Sequence, residues 1–401
     1  MAHLGMVSIP APGHVYPSLE VLRRLVERGH RVTYVNDEAV RAEVESVGAR
    51  LVPYRSVLPR ANTAGGDTAP DTGYAGDAVD HLALFQDEYE AMLPVVEAAF
   101  ATDRPDLFLY DIAGIPARLL ADTWGLPALQ LSPTYVAWEG YEEDLADFHH
   151  QLRTDPRGVA YLERQQAMLA RCGVTTDALT YLGRPPRCVV LVPPSLQPHL
   201  ERVDQGTYTF VGPALRRTDP GATWTPPPGR RVLLVSLGTA FTRRPDFYRR
   251  CLAAFGGLDD WHLVLQVGRH VSVEEVTGGG PVPPDVEILP WVPQLEVLRH
   301  ASAFVTHAGM GGSAEGMATG TPMIAAPQDV DQFSNADALV AAGVAQRVDS
   351  ATVGVEELRA ALAAVTSEPV RRRAAALAAE IEEAGGARTA VEVVESLLPR
   401  A

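Results

Sequence analysis

A rhythm that stops once and then restarts sets the strongest limit on this chain. Short apolar runs alternate with segments of helical periodicity, from "LGMVSI" at Leu4–Ile9 and the "SLEVLRRLVERG" that follows, through "RVTYVN", "DLFLYD", "PALQLS", "CVVLVP" and "YTFVGP". Strands of this length separated by helical segments build βαβ units on a parallel sheet. The rhythm breaks at 214–229, "ALRRTDPGATWTPPPG", which holds four prolines and no periodicity. It resumes with "RVLLVSLGT", "HLVLQVG", "VEILPWV", "AFVTHAG" and "PMIAAP". The break reads as an interdomain linker. The expected architecture is therefore α/β, with two Rossmann-like domains, 1–213 and 230–385, facing across a cleft. Residues 386–401 read as a helix able to pack on either domain. In such sheets ligands sit at the carboxyl ends of the strands.

Bulk properties narrow the partners. The 401 residues are enough for two domains of ordinary size. A formal net charge of −16, with no basic run to offset it, argues against nucleic acid or an anionic membrane as the main partner. It leaves room for an anionic small ligand in a locally positive site. Three widely spaced cysteines, Cys172, Cys188 and Cys251, fit neither a disulfide framework nor a zinc pattern. The start "MAHLGMVSIPAPG" lacks a basic n-region and reads as a first strand. No apolar stretch is long enough to span a bilayer, so a cytoplasmic protein without membrane insertion is expected. Residues 55–80 read as a loop able to act as a lid, and 134–170 as a helical cover on the first domain. Oligomeric state is left open.

The densest pattern runs from Trp291 to Asn335. Within it "AFVTH" reads as a buried strand, "AGMGGS" as a flexible turn and "AEGMATG" as the start of a helix. A glycine turn at a helix N-terminus offers free N–H groups and a positive dipole end, which suits a diphosphate. Gly309, Gly311 and Gly312 would let the backbone approach an anion without Cβ clashes. Ser313 adds a hydroxyl, His307 can donate to a phosphate oxygen, and Glu315 can accept from two ribose hydroxyls. On the glycines alone, a plain strand-to-helix turn explains the pattern equally well. The flanks add weight: Trp291 offers a face to a base, and Asp331 and Gln332 follow the next strand, where they suit sugar hydroxyls.

One histidine stands at the opposite end of the chain. His14 lies where the first strand gives way to a helical pattern starting near Pro17, and "PDLFLYDIAG" puts Asp111 at the carboxyl end of another strand. An imidazole there can take a proton near pH 7, with the carboxylate fixing its tautomer and stabilising the imidazolium. The plainer reading is that His14 caps the helix and Asp111 begins a turn.

The order W-x-P-Q … H-x-G-x-G-S-x-E-G … P … D-Q resembles the nucleotide-sugar signature of family-one glycosyltransferases of the GT-B fold. The similarity extends over nearly the whole chain, through "GHVYPSLEVLRRLVERGHRVTY", "LYDI", "LVSLGT" and "DQFSNA". It is nearest in pattern to the bacterial branch that glycosylates macrolides and other natural products. The resemblance implies that Trp291 stacks on uracil, that Glu315 holds the ribose, and that Val292 and Gln294 belong to the donor set. It implies that His307, Gly309, Gly311, Gly312 and Ser313 meet the diphosphate, with Ser236 and Thr239 near the β-phosphate. Asp331 and Gln332 would grip the hexose. "DVD" at Asp329–Asp331 matches a metal-holding pattern of another transferase class, but Asp331 already has this assignment, so no obligatory metal and no other cofactor is expected.

The same resemblance supports His14 and Asp111 as a base dyad. One base and one attack imply inversion at the anomeric carbon. Eight positions after Glu315 stands Met323, so the glutamate pair of the retaining branch is missing. Acceptor contacts are expected from Tyr16, Phe85, Leu131, Ser132, Tyr135 and Ala240. Many relatives carry His-Gly-His and then Asn-Pro-Ser before the helix. Here Pro12 replaces the first His and Tyr16 the Asn, so Tyr16 is expected to project close to the base. The expected function is inverting transfer of a hexose, glucose from UDP-glucose, to a hydroxyl of a macrolide-like or other hydrophobic natural product. A TDP-deoxysugar-dependent biosynthetic transferase is the alternative. A UDP-sugar epimerase and a non-catalytic nucleotide-sugar binder stand behind it.

Overall fold

The computed structural model describes residues 1–59, 77–216, 224–238, 242–329 and 331–398. The chain forms two compact units, one of Met1–Arg216 with Ala384–Ala401, the other of Arg217–Glu383.

The first unit is built on seven strands: β1 (His3–Val7), β2 (Arg31–Asp37), β3 (Arg50–Tyr54), β4 (Leu107–Tyr110), β5 (Ala128–Ser132), β6 (Cys188–Val190) and β7 (Tyr208–Phe210). Their order is β3-β2-β1-β4-β5-β6-β7, with every pair parallel. Apolar clusters cover both faces of the sheet. One gathers Leu4, Met6 and Leu109 with Leu22 and Leu25 of the helix Pro12–Glu27. The other gathers Val7, Phe108 and Tyr110 with Met92 and Val96 of the helix Ala78–Phe100. Strands buried on both faces are near-continuous apolar runs, which is why the sequence shows them.

The second unit repeats the scheme with six strands: β8 (Arg231–Ser236), β9 (Trp261–Gln266), β10 (Val286–Leu289), β11 (Ala301–Thr306), β12 (Met323–Ala325) and β13 (Ala345–Arg347). They are ordered β10-β9-β8-β11-β12-β13, again all parallel. In each sheet the strand order reverses once, between β1 and β4 in the first and between β8 and β11 in the second. Chains leave such a point in opposite directions and open a crevice at the carboxyl ends of the strands.

Three boundaries differ from the sequence reading. The first helix begins at Pro12 instead of near Pro17, because Ala11 takes the N-cap and a proline at the first helical position sacrifices no hydrogen bond. The helix Met310–Ala318 begins four residues before the expected Ala314, so Gly311, Gly312 and Ser313 form its first turn and not a flexible loop. The terminal helix Ala387–Ser396 packs on the first unit, through Ala387, Ala390, Val391 and Val394. Arg28 holds its far end by an ion pair to Glu395 at 2.6 Å.

The expected linker is anchored at both ends. Ala214 is buried in the first core, and Trp224 lies against His262 and His300 of the second unit. The expected cover consists of the helices Tyr141–Asp144, Ala146–Thr154, Pro156–Arg171 and Ala178–Gly183. The expected lid falls largely on 60–76, outside the described residues. Among the described residues no helix is long and apolar enough to cross a membrane.

Candidate active site

His14 and Asp111 stand on either side of the reversal in the first sheet, one after β1 and the other after β4. The turn that carries His14 is tied down from beneath. Asn36 Nδ2 donates to Ser8 Oγ at 2.9 Å, and Ser8 Oγ pairs with Tyr34 Oη at 2.6 Å. Burial pushes the Tyr34 phenol up to about 12, so it serves only as a hydrogen-bonding group. The helix then starts at Pro12, with the amide of His14 bonded to the Ala11 carbonyl at 2.9 Å. The Asp111 amide donates to the Val7 carbonyl at 3.2 Å, which brings the end of β4 against the end of β1. The approach is close enough that a Cβ on Gly114 would lie 2.3 Å from the Val7 carbonyl oxygen, so only glycine fits there.

This scaffold places the Nδ1 of His14 in hydrogen bond with Asp111 Oδ2. Asp111 is 1% exposed, and its Oδ1 accepts from the Ala113 amide at 3.1 Å. A carboxylate can only accept, so Nδ1 carries the hydrogen and Nε2 carries the lone pair. The His14 side chain stays 21% exposed, and among the described residues its Nε2 has no partner. A proton acceptor with an oriented tautomer and an open face is thus held at a topological switch point.

The second crevice is made differently. His307 follows β11, between Gly238 after β8 and Gly309 at the N-cap of the helix Met310–Ala318. A Cβ on Gly238 would lie 2.6 Å from His307 Cε1, and one on Gly309 would lie 2.3 Å from Nε2. The imidazole therefore fits only because both neighbours lack side chains. Between them Ala308 is buried with φ +62, a left-handed turn unusual for a residue with a side chain. Among the described residues no charged group stands against the ring in compensation, and burial lowers the His307 pKa from 6.5 to about 4. The ring is neutral near pH 7 and offers one donor without a positive charge.

Around this turn the expected donor residues come together in part. Gln294 Nε2 donates to Glu315 Oε2 at 2.7 Å, which joins the two ends of the pattern. Trp291 is 64% exposed, an unusual state for so large an apolar ring and a suitable one for stacking. Four buried polar atoms, His307 Nδ1, Ser313 Oγ, Gln328 Nε2 and Asn335 Oδ1, have no hydrogen-bond partner among the described residues. These four follow β11 and β12, where a polar ligand would satisfy them. Among the described residues no three or more metal-ligating side chains gather.

Some expected contacts have other work. The amide of Val292 donates to Gln266 Oε1 at 3.1 Å, and Gln266 Nε2 donates to Ser236 Oγ at 3.1 Å. Gln266 thus links two expected donor residues, and nothing in the sequence set it apart from a buried strand residue. Gln332 is buried with its Oε1 accepting from the amides of Gln328 at 2.9 Å and Asp329 at 3.4 Å. Only its Nε2 is left for a ligand. Asp331 is exposed and accepts from Asn335 Nδ2 at 2.9 Å. Thr239 and Ala240 lie outside the described residues.

The acceptor expectations need the most correction. Tyr16 lies in the first helix and packs on the core, with the Arg216 guanidinium 4.3 Å over its ring. Residues two apart on a helix do not share a face, so Tyr16 turns away from His14. Leu131 is 1% exposed and part of the core, because β5 is an interior strand covered on both sides. Ser132 is buried and donates to the Thr134 carbonyl at 2.9 Å. Phe85 packs against the second core cluster, and Tyr135 is half-buried.

Two parallel sheets, each opening a crevice where its strand order reverses, with a glycine-rich helix start in the second, match the GT-B fold of glycosyltransferases. Residues 232–382 match the family described as UDP-glucoronosyl and UDP-glucosyl transferase. The chain is 47% identical over 401 residues to the oleandomycin glycosyltransferase of Streptomyces antibioticus, covering 99% of this chain and 91% of that one. It is 30% identical to the demethyllactenocin mycarosyltransferase of Streptomyces fradiae, covering 99% of this chain and 87% of that one. Among solved structures, the glycotransferase of kitacinnamycin superimposes with a TM-score of 0.90 at 46% identity, with 99% of each chain covered. The chain belongs to this family of UDP-glucuronosyl and UDP-glucosyl transferases, and it is a glycosyltransferase.

Proposed function

We propose that the protein transfers a hexose, glucose from UDP-glucose, to a hydroxyl of a macrolide-like or other hydrophobic natural product, with inversion. The hydrogen bond between His14 Nδ1 and Asp111 carries this reading, because it leaves Nε2 open as a base. The acceptor class rests on the likeness to the oleandomycin glycosyltransferase. An acceptor hydroxyl bonded to Nε2 gives up its proton as its oxygen attacks the anomeric carbon. The bond from that carbon to the phosphate oxygen breaks, and the diphosphate leaves onto the N–H groups of the helix Met310–Ala318. Asp111 stabilises the imidazolium that forms. From an α-linked donor the product is a β-glycoside, and no step needs a metal.

A second reading, a TDP-deoxysugar donor, is favoured by one observation. With Gln332 Oε1 turned inward, fewer groups remain for sugar hydroxyls, and the Streptomyces fradiae relative is a mycarosyltransferase. The deciding experiment incubates purified protein, with EDTA present, with UDP-glucose or a TDP-deoxyhexose and a panel of macrolide, flavonoid and phenol acceptors, read by mass. A gain of one hexose from UDP-glucose on a macrolide, lost in His14→Ala, supports the first reading. Transfer from the TDP donor alone supports the second. Transfer retained in His14→Ala overturns the base assignment.

A further inference from the structure

Arg244 stands in the segment after β8, at the N-cap of the helix Pro245–Phe255. Its place is built. The Arg244 amide bonds to the Thr242 carbonyl at 2.8 Å, and Thr242 is buried against the end of β9, where Gly268 at φ +75 leaves room for its hydroxyl. The side chain then reaches across the sheet edge, and Nε donates to Gln328 Oε1 at 2.8 Å. Gln328 follows β12 and is itself fixed, through its amide, by Gln332.

Strand order gives that bond its meaning. β11 lies between β8 and β12, so a contact from the segment after β8 to the segment after β12 passes over the carboxyl end of β11. Strands spaced at about 4.8 Å put β8 and β12 about 10 Å apart, a span an arginine side chain helps to bridge. The end of β11 is where His307, Gly309 and the N-terminus of the helix Met310–Ala318 meet. The guanidinium is thus held, through Gln328, at the same sheet edge as the turn around His307. Gln328 Nε2 beside it is one of the orphaned buried atoms.

We propose that Arg244 is a donor-binding residue, the cation that meets the diphosphate of the nucleotide sugar at the end of β11. The proposal rests on the reading of this edge as a nucleotide-sugar site. It answers a charge problem in that site. His307 is neutral near pH 7, and a helix N-terminus supplies about half a unit of positive charge. A leaving nucleoside diphosphate carries more than that can balance. A guanidinium presents two parallel donors to phosphate oxygens, as a lysine cannot.

The test is calorimetric titration of UDP and of uridine into the wild-type chain, Arg244→Gln and Arg244→Lys. Arg244→Gln is expected to weaken UDP binding about 10- to 100-fold while leaving uridine unchanged, the size of a lost charge-assisted bond. Arg244→Lys is expected to fall between. UDP binding by Arg244→Gln within about twofold of wild type, where surface substitutions normally fall, overturns the proposal. So does an equal loss for uridine, which would mark a structural role. A wild-type chain that binds neither ligand overturns the donor-site reading itself, and the assignment of Arg244 with it.

Discussion

The two histidines His14 and His307 occupy equivalent places in two sheets of the same design, yet their surroundings make them different reagents. Each follows a strand beside the point where strand order reverses. His14 has a buried carboxylate on Nδ1, which sets its tautomer and waits for the positive charge that proton transfer would create. Among the described residues no carboxylate meets His307. Glycines wall it on two sides, and desolvation lowers its pKa to about 4. Topology supplies the crevice, and the partner on the other ring nitrogen decides its use. On the proposed function, one histidine is arranged to gain a proton and the other to stay neutral beside the donor's diphosphate.

The largest expected effect separates the two most directly. His14→Ala should lower kcat/KM about 10²- to 10⁴-fold, the usual worth of a general base, while UDP affinity by calorimetry stays unchanged. Turnover near the wild-type rate would end the comparison, because His14 would then be only part of a helix start. Asp111→Asn comes next. It keeps the shape but removes the charge that would stabilise the imidazolium, and should cost up to about 10⁴-fold in kcat without changing UDP binding. A loss in UDP affinity instead would place Asp111 in the scaffold.

The histidine of the second sheet has its own signature in stability. Its folded-state pKa is about 4 against an ordinary 6.5. Between those values the unfolded chain binds the extra proton and the folded chain does not. Stability from this site is therefore complete above pH 6.5 and falls as pH drops towards 4, by up to about 3 kcal/mol. His3, also lowered mainly by burial, adds in the same direction. Urea midpoints from pH 7 to 4.5 should show the decline, and His307→Asn should flatten it. An equal slope in the variant would show that His307 is hydrated in solution. A smaller effect is expected from Gly309→Ala. The new Cβ would meet His307 Nε2 at 2.3 Å, and displacement of the ring should raise the donor KM about tenfold, the worth of one hydrogen bond.

Those predictions rest on features of unequal legibility. The interior strands were readable because burial on both faces writes itself as an apolar run. β3 and β13 were not, although the other two edge strands, β7 and β10, were. β3 carries Pro53, which an edge strand tolerates, and β13 is the short, largely exposed "AQR". His14, Asp111 and the turn around His307 were readable because chemistry confines them to few residue types. Gln266, Ser8 and Asn36 were not. Each is a polar residue whose role is a hydrogen bond across strands, and a single sequence gives no sign of which partner it meets. Acceptor contacts were least legible of all. Leu131 looked like a pocket residue because it is apolar near a strand end, but an interior strand turns such residues into the core.

Tyr16 gives the smallest expected effect and sharpens the comparison from the other side. Its place in sequence, two residues after the base, suggested a hand in acceptor choice. Two residues along a helix is about 200° of rotation, which directs its ring to the core and beneath Arg216. Burial, and then the nearby Glu43, push its phenol above the ordinary range, so the group stays uncharged and carries no proton to or from a substrate near pH 7. Tyr16→Phe keeps the ring and its contact with the guanidinium. It should leave kcat/KM within about twofold for every acceptor, as substitutions away from a reacting group usually do. An acceptor-dependent change larger than that would mean that the first turn of the helix rearranges when an acceptor binds. His14 would then be delivered to its substrate by a moving element, while His307 keeps its rigid glycine seat.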